Sequence, residues 1–138
     1  MSDPLAAVAR LVTATNVHDI DAVVDCFAPA YVNETPAHPQ RNFRGRDQVR
    51  SNWTSIFAGV PDIAVHVIAS SVEGRSAWTE WEMSGTRCDG SPHAMAGVIV
   101  FDVPEDRIAS ARFYLEPVER VSGDVNAAVE RAMKSSGS

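Results

Sequence analysis

Apolar residues recur along this chain with two periods, and the change from one to the other divides it. Leu5, Val8, Val12 and Thr15 fall at helical spacing with alanines between them. Ser2-Asp3-Pro4 ahead of them is helix-start chemistry, cap side chains and then a proline in the first turn. Asp19-Ile20-Asp21 opens a second helix with Val23, Val24 and Phe27 on its buried side, and Pro29 is expected to end it. Tyr31 to Thr35 reads as a short extended piece, and Pro36 to Arg44 as a polar loop. Gly45-Arg46-Asp47 opens a third helix. Its Val49, Trp53, Ile56, Phe57 and Val60 form an apolar stripe at i, i+4, i+7, i+8 and i+11, and Pro61 stops it.

Beyond Pro61 the period falls to two. Asp62–Val72, Ser76–Arg87, Pro92–Val103 and Arg107–Pro117 read as four long strands joined by Glu73-Gly74, Asp89-Gly90 and Pro104-Glu105-Asp106. Links this short imply antiparallel neighbours. A last helix from about Asp124 to Met133 precedes a tail expected to be disordered over 135–138, and residues 1–134 read as a single domain. Helices segregated from an antiparallel sheet make the class α+β. The sheet is expected to curl as a cone around the three N-terminal helices and leave a pocket between them.

Composition agrees with a sheet-dominated core. The chain has 138 residues, 45% hydrophobic and 22% charged, and its aliphatic residues are 18 Val and 6 Ile against 3 Leu. β-branched side chains suit pleated sheets better than helices. The net charge of −6, with 11 Arg and 1 Lys among 18 acidic residues, argues against a nucleic-acid partner. The densest basic stretch, Arg41, Arg44, Arg46 and Arg50, is interrupted by Asp47 and reads as a solvated loop and helix start. No apolar run is long enough to span a membrane. The N-terminus has an acid and no basic cluster before its apolar run, unlike a secretory signal. Cys26 and Cys88 have no metal spacing, so reduced thiols in a cytoplasmic protein are expected.

Five short motifs follow one another in a familiar order: Phe27-Ala28-Pro29-Ala30-Tyr31-Val32-Asn33, Phe43-Arg44-Gly45-Arg46-Asp47-Gln48-Val49, Trp81 to Thr86, Gly97 to Phe101, and Arg107 to Glu116. Together they resemble the SnoaL-like branch of the nuclear-transport-factor-2-like superfamily over residues 5 to 117. That superfamily includes polyketide cyclases, ketosteroid isomerase, limonene epoxide hydrolase, scytalone dehydratase and non-catalytic binders, so fold does not settle function. The resemblance implies no cofactor, and a homodimer joined through the outer face of the sheet.

The resemblance also assigns faces. Positions 81 and 83 match pocket-facing residues of the epoxide hydrolases, so Thr79, Trp81 and Met83 point inward and Glu80 and Glu82 outward. The inward set continues as His93, Met95, Gly97, Ile99 and Phe101, then as Ala111, Phe113 and Leu115. The alternative is a reversal near the mouth, which would bring Glu80, Arg112, Tyr114 and Glu116 to the pocket. Tyr31 and Asn33 share a strand face and resemble the pair that holds the attacking water in the hydrolase. Against this, Tyr31 suits a core aromatic and Asn33 a turn cap.

The chain departs from the family's catalytic patterns. The hydrolase pattern would need Arg, Asp and Asp where Trp81, Met83 and Phe113 stand, and the isomerase a carboxylate at Asn33. Remaining candidates for proton transfer are His38, His93 and Glu34, or Glu80 or Glu116 if the faces reverse, with the histidines foremost because imidazole titrates near neutrality; taken alone, each of the two histidines reads first as a solvated loop or turn residue. His18 and His66 read as structural. A metal site would need the fold to bring His38, His93 and Glu34 together. Two functions therefore stand. One is a cofactor-independent enzyme catalysing cyclisation, isomerisation, dehydration or epoxide hydrolysis of a hydrophobic, polyketide- or terpenoid-like molecule. In it His93 or His38 moves the proton, Tyr31 and Asn33 orient an oxygen, and Trp53, Trp81, Met83, Met95, Phe101 and Phe113 shape the pocket. The other is a non-catalytic ligand-binding or interaction module.

Overall fold

The computed structural model describes residues 3–120 and 123–136. Helix α1 (Pro4–Asn16) starts as its sequence requires, with the Asp3 carboxylate accepting the N–H groups of Leu5 and Ala6 at 3.1 and 3.4 Å. It ends with His18 in the left-handed region at φ 58°. There His18 N–H donates to the Thr15 carbonyl and Asp19 N–H to the Ala14 carbonyl, each at 3.1 Å. This closing motif usually takes glycine. His18 occupies it because its ring is anchored: Nε2 donates to the Ile63 carbonyl at 2.8 Å, and the imidazole stacks on Phe57 at 4.7 Å. Helix α2 (Ile20–Asp25) is capped by Asp19, which accepts from Ala22 N–H.

Strand β1 (Phe27–Glu34) then begins earlier than expected. Pro29 does not end a helix; it lies within β1, where the register against the neighbouring strand shifts between Phe27 and Val32, a place that tolerates a missing N–H. The expected loop after β1 holds a 3₁₀ turn (Pro39–Arg41) and a short strand β2 (Phe43–Arg44). Helix α3 (Arg46–Gly59) follows, its first residue tied to β1 by a 2.7 Å hydrogen bond from Arg46 Nε to the Phe27 carbonyl. Strands β3 (Ala64–Glu73), β4 (Ser76–Thr86), β5 (Pro92–Asp102) and β6 (Ile108–Pro117) form the expected antiparallel meander. Helix α4 (Val125–Ser136) runs two residues into the stretch expected to be a tail, and residues 137–138 lie outside the described part.

The six strands form one curved sheet in the order β2-β1-β6-β5-β4-β3. It is mixed rather than wholly antiparallel, because β1 pairs with β6 in parallel. A parallel pairing needs a long crossover, and α3 with the whole meander supplies it. The two-residue period cannot reveal this, since alternation reports faces and not neighbours.

Burial confirms the faces. Thr79, Trp81, Met83, Ile99, Phe101, Ala111 and Leu115 are buried, and α1 packs on the sheet over β3, β4 and β5. Glu80, Glu82, Arg112, Tyr114 and Glu116 are exposed, so no reversal occurs at the mouth. On the outer face the Arg112 guanidinium lies 5.9 Å from the Trp78 ring, and these two flank Val100, which is buried although it points outward. Among the described residues no helix is long and apolar enough to cross a membrane.

Gly97 marks a close approach of β5 to β6. Its φ is 152°, and a Cβ there would lie 2.1 Å from the Tyr114 carbonyl oxygen. Gly97→Ala is expected to destabilise the fold by more than about 2 kcal/mol. Gly59→Ala, at the end of α3 with nothing within 4 Å of an added Cβ, should be neutral or slightly stabilising. Urea denaturation of both variants measures the contrast.

Candidate functional site

A cavity of about 250 Å³ lies between α3 and the inner face of the sheet. Most of its wall is apolar, built by Phe27, Phe43, Trp53, Met83, Met95 and Phe113. Each comes from a pattern that the chain dictates locally. Trp53, with Val49 and Ile56, belongs to the buried stripe of α3. Met83, Met95 and Phe113 are inward positions of three adjacent strands, with Met83 directly opposite Met95.

The polar groups come from β1, the loop after it, and α3. Tyr31 and Asn33 are two apart on β1, so both point to the inner face. The Tyr31 hydroxyl donates to Asn33 Oδ1 at 2.8 Å, in a site where Tyr31 is 1% and Asn33 7% exposed. Burial pushes the Tyr31 phenol far above its usual range, so it remains a neutral hydroxyl at any working pH. Its ring packs edge-on against Phe27, with centroids 4.6 Å apart. Among the described residues the Asn33 Nδ2 group has no hydrogen-bond partner, and Asn33 lines the cavity. Tyr31 is thus the core aromatic it was expected to be, while Asn33 does not cap a turn: its Oδ1 takes the Tyr31 hydroxyl, which orients the amide.

Three further polar residues line the cavity: Thr35, Asn52 and Arg41. Two were legible in the sequence. Thr35 continues the Tyr31, Asn33 alternation along the strand, and Asn52 sits three residues after Val49 and four before Ile56 on the stripe of α3. Arg41 carried no such signal, because the 3₁₀ turn that presents it has no period. It is exposed, as expected of a solvated loop residue, and it also lies at the edge of the cavity.

Four residues expected at the pocket are placed elsewhere. Trp81 and Phe101 point inward but do not line the cavity. Trp81 Nε1 donates to Thr79 Oγ1 at 2.7 Å, Thr79 Oγ1 donates to the Ile99 carbonyl at 2.6 Å, and the Phe101 ring lies 6.1 Å from Trp81. This is packed core, because alternation reports which face a side chain takes and not how deep the helices cover it. His93 is on the inner face by register, opposite Gly85, but the cavity wall ends one rung earlier at Met95. Its Nδ1 accepts from the Arg87 guanidinium at 3.2 Å, and burial, then the Arg87 charge, holds its pKa below the ordinary histidine value. His38 lies on the outside of the mouth, its Nε2 2.7 Å from Glu116 Oε1. The fold therefore does not bring His38, His93 and Glu34 together. Among the described residues no group of three or more His, Cys, Asp or Glu could hold a metal ion.

Comparison with known proteins gives this geometry a family. The model of the SnoaL-like domain matches residues 8–111, which span α1 through the first half of β6. The chain belongs to the SnoaL-like family. Solved structures with the same fold include IdmH, a proposed polyketide cyclase from Streptomyces antibioticus. It has 22% identity and a TM-score of 0.72, covering 83% of this chain and 92% of that one. A proposed SnoaL-like polyketide cyclase from Jannaschia sp. CCS1 has 18% identity and a TM-score of 0.70, covering 82% and 85%. An LEH-like epoxide hydrolase of M. tuberculosis has 19% identity and a TM-score of 0.70, covering 82% of each chain. At these identities the likeness shows the fold alone. No curated protein matches the chain significantly.

Within this SnoaL-like cavity the Tyr31–Asn33 hydrogen bond should be measurable as a coupling. Tyr31→Phe leaves the buried Asn33 oxygen without a donor and should cost about 1–3 kcal/mol. In a double-mutant cycle with Asn33→Ala, the two losses should fall short of additivity by about 1 kcal/mol in chemical denaturation. Additive losses would mean that the pair does not act as a unit.

Proposed function

We propose that this SnoaL-like protein binds a hydrophobic, oxygen-bearing small molecule in the cavity and converts it without a cofactor, by polarising the ligand's oxygen. The observation that carries the reading is the Tyr31–Asn33 pair inside a mostly apolar cavity. Tyr31 occupies the carbonyl side of the Asn33 amide and fixes its plane, so the amide's N–H₂ group is the donor left for a ligand. A fixed donor in a water-poor site stabilises negative charge developing on a carbonyl oxygen far better than it could in water. Tyr31 itself cannot act as a base, because burial keeps its proton on.

Proton movement in this reading falls to His38. It follows three residues after Thr35, and its partner Glu116 follows Leu115; Thr35 and Leu115 both line the cavity. An imidazole oriented by a carboxylate is a common acid/base arrangement. Cyclisation, isomerisation and dehydration all use a polarised oxygen and a proton carrier, and the similarity to proposed polyketide cyclases supports that class of substrate. Epoxide hydrolysis fits less well, since Trp81, Met83 and Phe113 stand where the hydrolase pattern needs charged residues.

A non-catalytic binder is the second reading, and one observation favours it: no His, Asp or Glu side chain lines the cavity. Mass spectrometry of ligands that co-purify, followed by incubation with fresh protein, separates the two. The enzyme reading expects conversion, an Asn33→Leu loss of about 100-fold in turnover, a comparable loss for His38→Gln, and little change for His93→Gln. Turnover that survives the His38→Gln, His93→Gln double variant removes the proposed mechanism. A ligand recovered unchanged supports the binder.

We further propose that the chain is a homodimer through the outer sheet face, where Trp78 on β4 and Tyr114 on β6, the two strands that flank β5, are 48% and 44% exposed. Trp78→Glu should then shift sedimentation from dimer to monomer with the fold intact by circular dichroism. A wild type that sediments as a monomer overturns this.

A further inference from the structure

We infer that the cavity takes an organic anion, a hydrophobic carboxylate whose charge is held by Arg41 while its carbon skeleton fills the apolar wall. This rests on the cavity being the ligand site, as proposed above, and adds the chemical class of the ligand.

The polar inventory of the cavity is one-sided. Asn33 Oδ1 already accepts from Tyr31 at 2.8 Å, and Asn52 Oδ1 accepts from Gln48 Nε2 at 2.7 Å. What each amide has left to offer is N–H. Arg41 offers only N–H donors and carries the sole formal charge among the described lining residues. No lining carboxylate or imidazole could neutralise it or receive a cationic or strongly donating ligand. The cavity therefore has several donors and one positive charge facing an apolar wall, which is the complement of a carboxylate on a greasy skeleton.

The backbone that carries Arg41 is held in place, and its exposed guanidinium is left uncommitted. Its N–H donates to the His38 carbonyl at 2.9 Å, and Asn42 N–H donates to the Pro39 carbonyl at 3.0 Å, which closes the 3₁₀ turn. Asn42 Oδ1 then accepts from Thr35 N–H at 2.7 Å and ties the turn back to the end of β1. Elsewhere Arg50, Arg75 and Arg107 are paired with Asp21, Asp102 and Asp25. The Arg41 guanidinium has no such partner among the described residues. In a chain of net charge −6, an unpaired guanidinium on a tethered turn beside an apolar cavity is a local attractor for an anion.

The test uses 2-naphthoate and its neutral methyl ester, titrated into the full chain by calorimetry. The acid is expected to bind at least about tenfold more tightly than the ester, because a charge-assisted hydrogen bond is roughly twice as strong as a neutral one. Arg41→Gln should remove about tenfold from the acid and leave the ester unchanged. Raising the salt concentration should weaken the acid alone. Equal or tighter binding of the ester by the wild type, or an acid-to-ester ratio unaltered by Arg41→Gln, overturns the proposal. Met95→Trp, which fills the cavity, distinguishes the two levels of failure. If the ester binds and this variant abolishes it, the cavity reading stands and only the anion claim falls. If neither probe binds the wild type, or Met95→Trp changes nothing, the cavity reading fails and takes the anion claim with it.

Discussion

The parallel pairing of β1 with β6 is the constraint on which the rest of the molecule depends. It joins a strand from the N-terminal third to the last strand of the meander, with Asn33 opposite Ala111. Without it the four long strands would make a sheet with helices on one side and without the Tyr31–Asn33 pair inside. With it, Tyr31 and Asn33 are carried onto the same inner surface as Phe113 and Leu115, and α3, tethered to β1 through Arg46, is held over them. The cavity is the space that this arrangement leaves between α3 and the sheet.

A polar pair in such a place must satisfy itself before it can serve a ligand. Burying an amide and a phenol without partners would cost several kcal/mol. The Tyr31–Asn33 hydrogen bond meets that requirement and, in doing so, decides which end of the amide remains for chemistry. The same logic separates the two halves of the inner face. Under α1 the polar atoms of Trp81 and Thr79 are consumed by each other and by the Ile99 carbonyl, so that region is closed core. Beside α3 the donors outnumber their internal acceptors, so that region is open to a ligand.

The family match sets the scaffold, and the particular side chains set the departure from its known chemistries. Where the epoxide hydrolase pattern calls for charged residues, this chain has Trp81, Met83 and Phe113, and where the isomerase calls for a carboxylate it has Asn33. The result is a cavity without a base in its wall. His38 and Glu116 pair with each other outside the mouth, and Arg41, the one charge among the described lining residues, is carried on a turn.

Much of this was legible from the residues alone, wherever a short-range rule operates. Asp3 and Asp19 announce their helices because a carboxylate satisfies free N–H groups within three residues. The meander follows from a two-residue period broken by turn residues; the same alternation groups Met83, Met95 and Phe113 on one face, and the family resemblance marked that face as inward. Tyr31 and Asn33 were found together for that reason, and Thr35 and Asn52 could have been. What the tertiary structure decided is whatever depends on separation along the chain: the parallel β1–β6 pairing, the depth at which Trp81 and Phe101 are sealed, the stop of the cavity one rung short of His93, and the arrival of Arg41 at its edge. Periodicity encodes the face a side chain takes, because that is set by local backbone geometry. It does not encode what covers that face, because cover is supplied by elements tens of residues away.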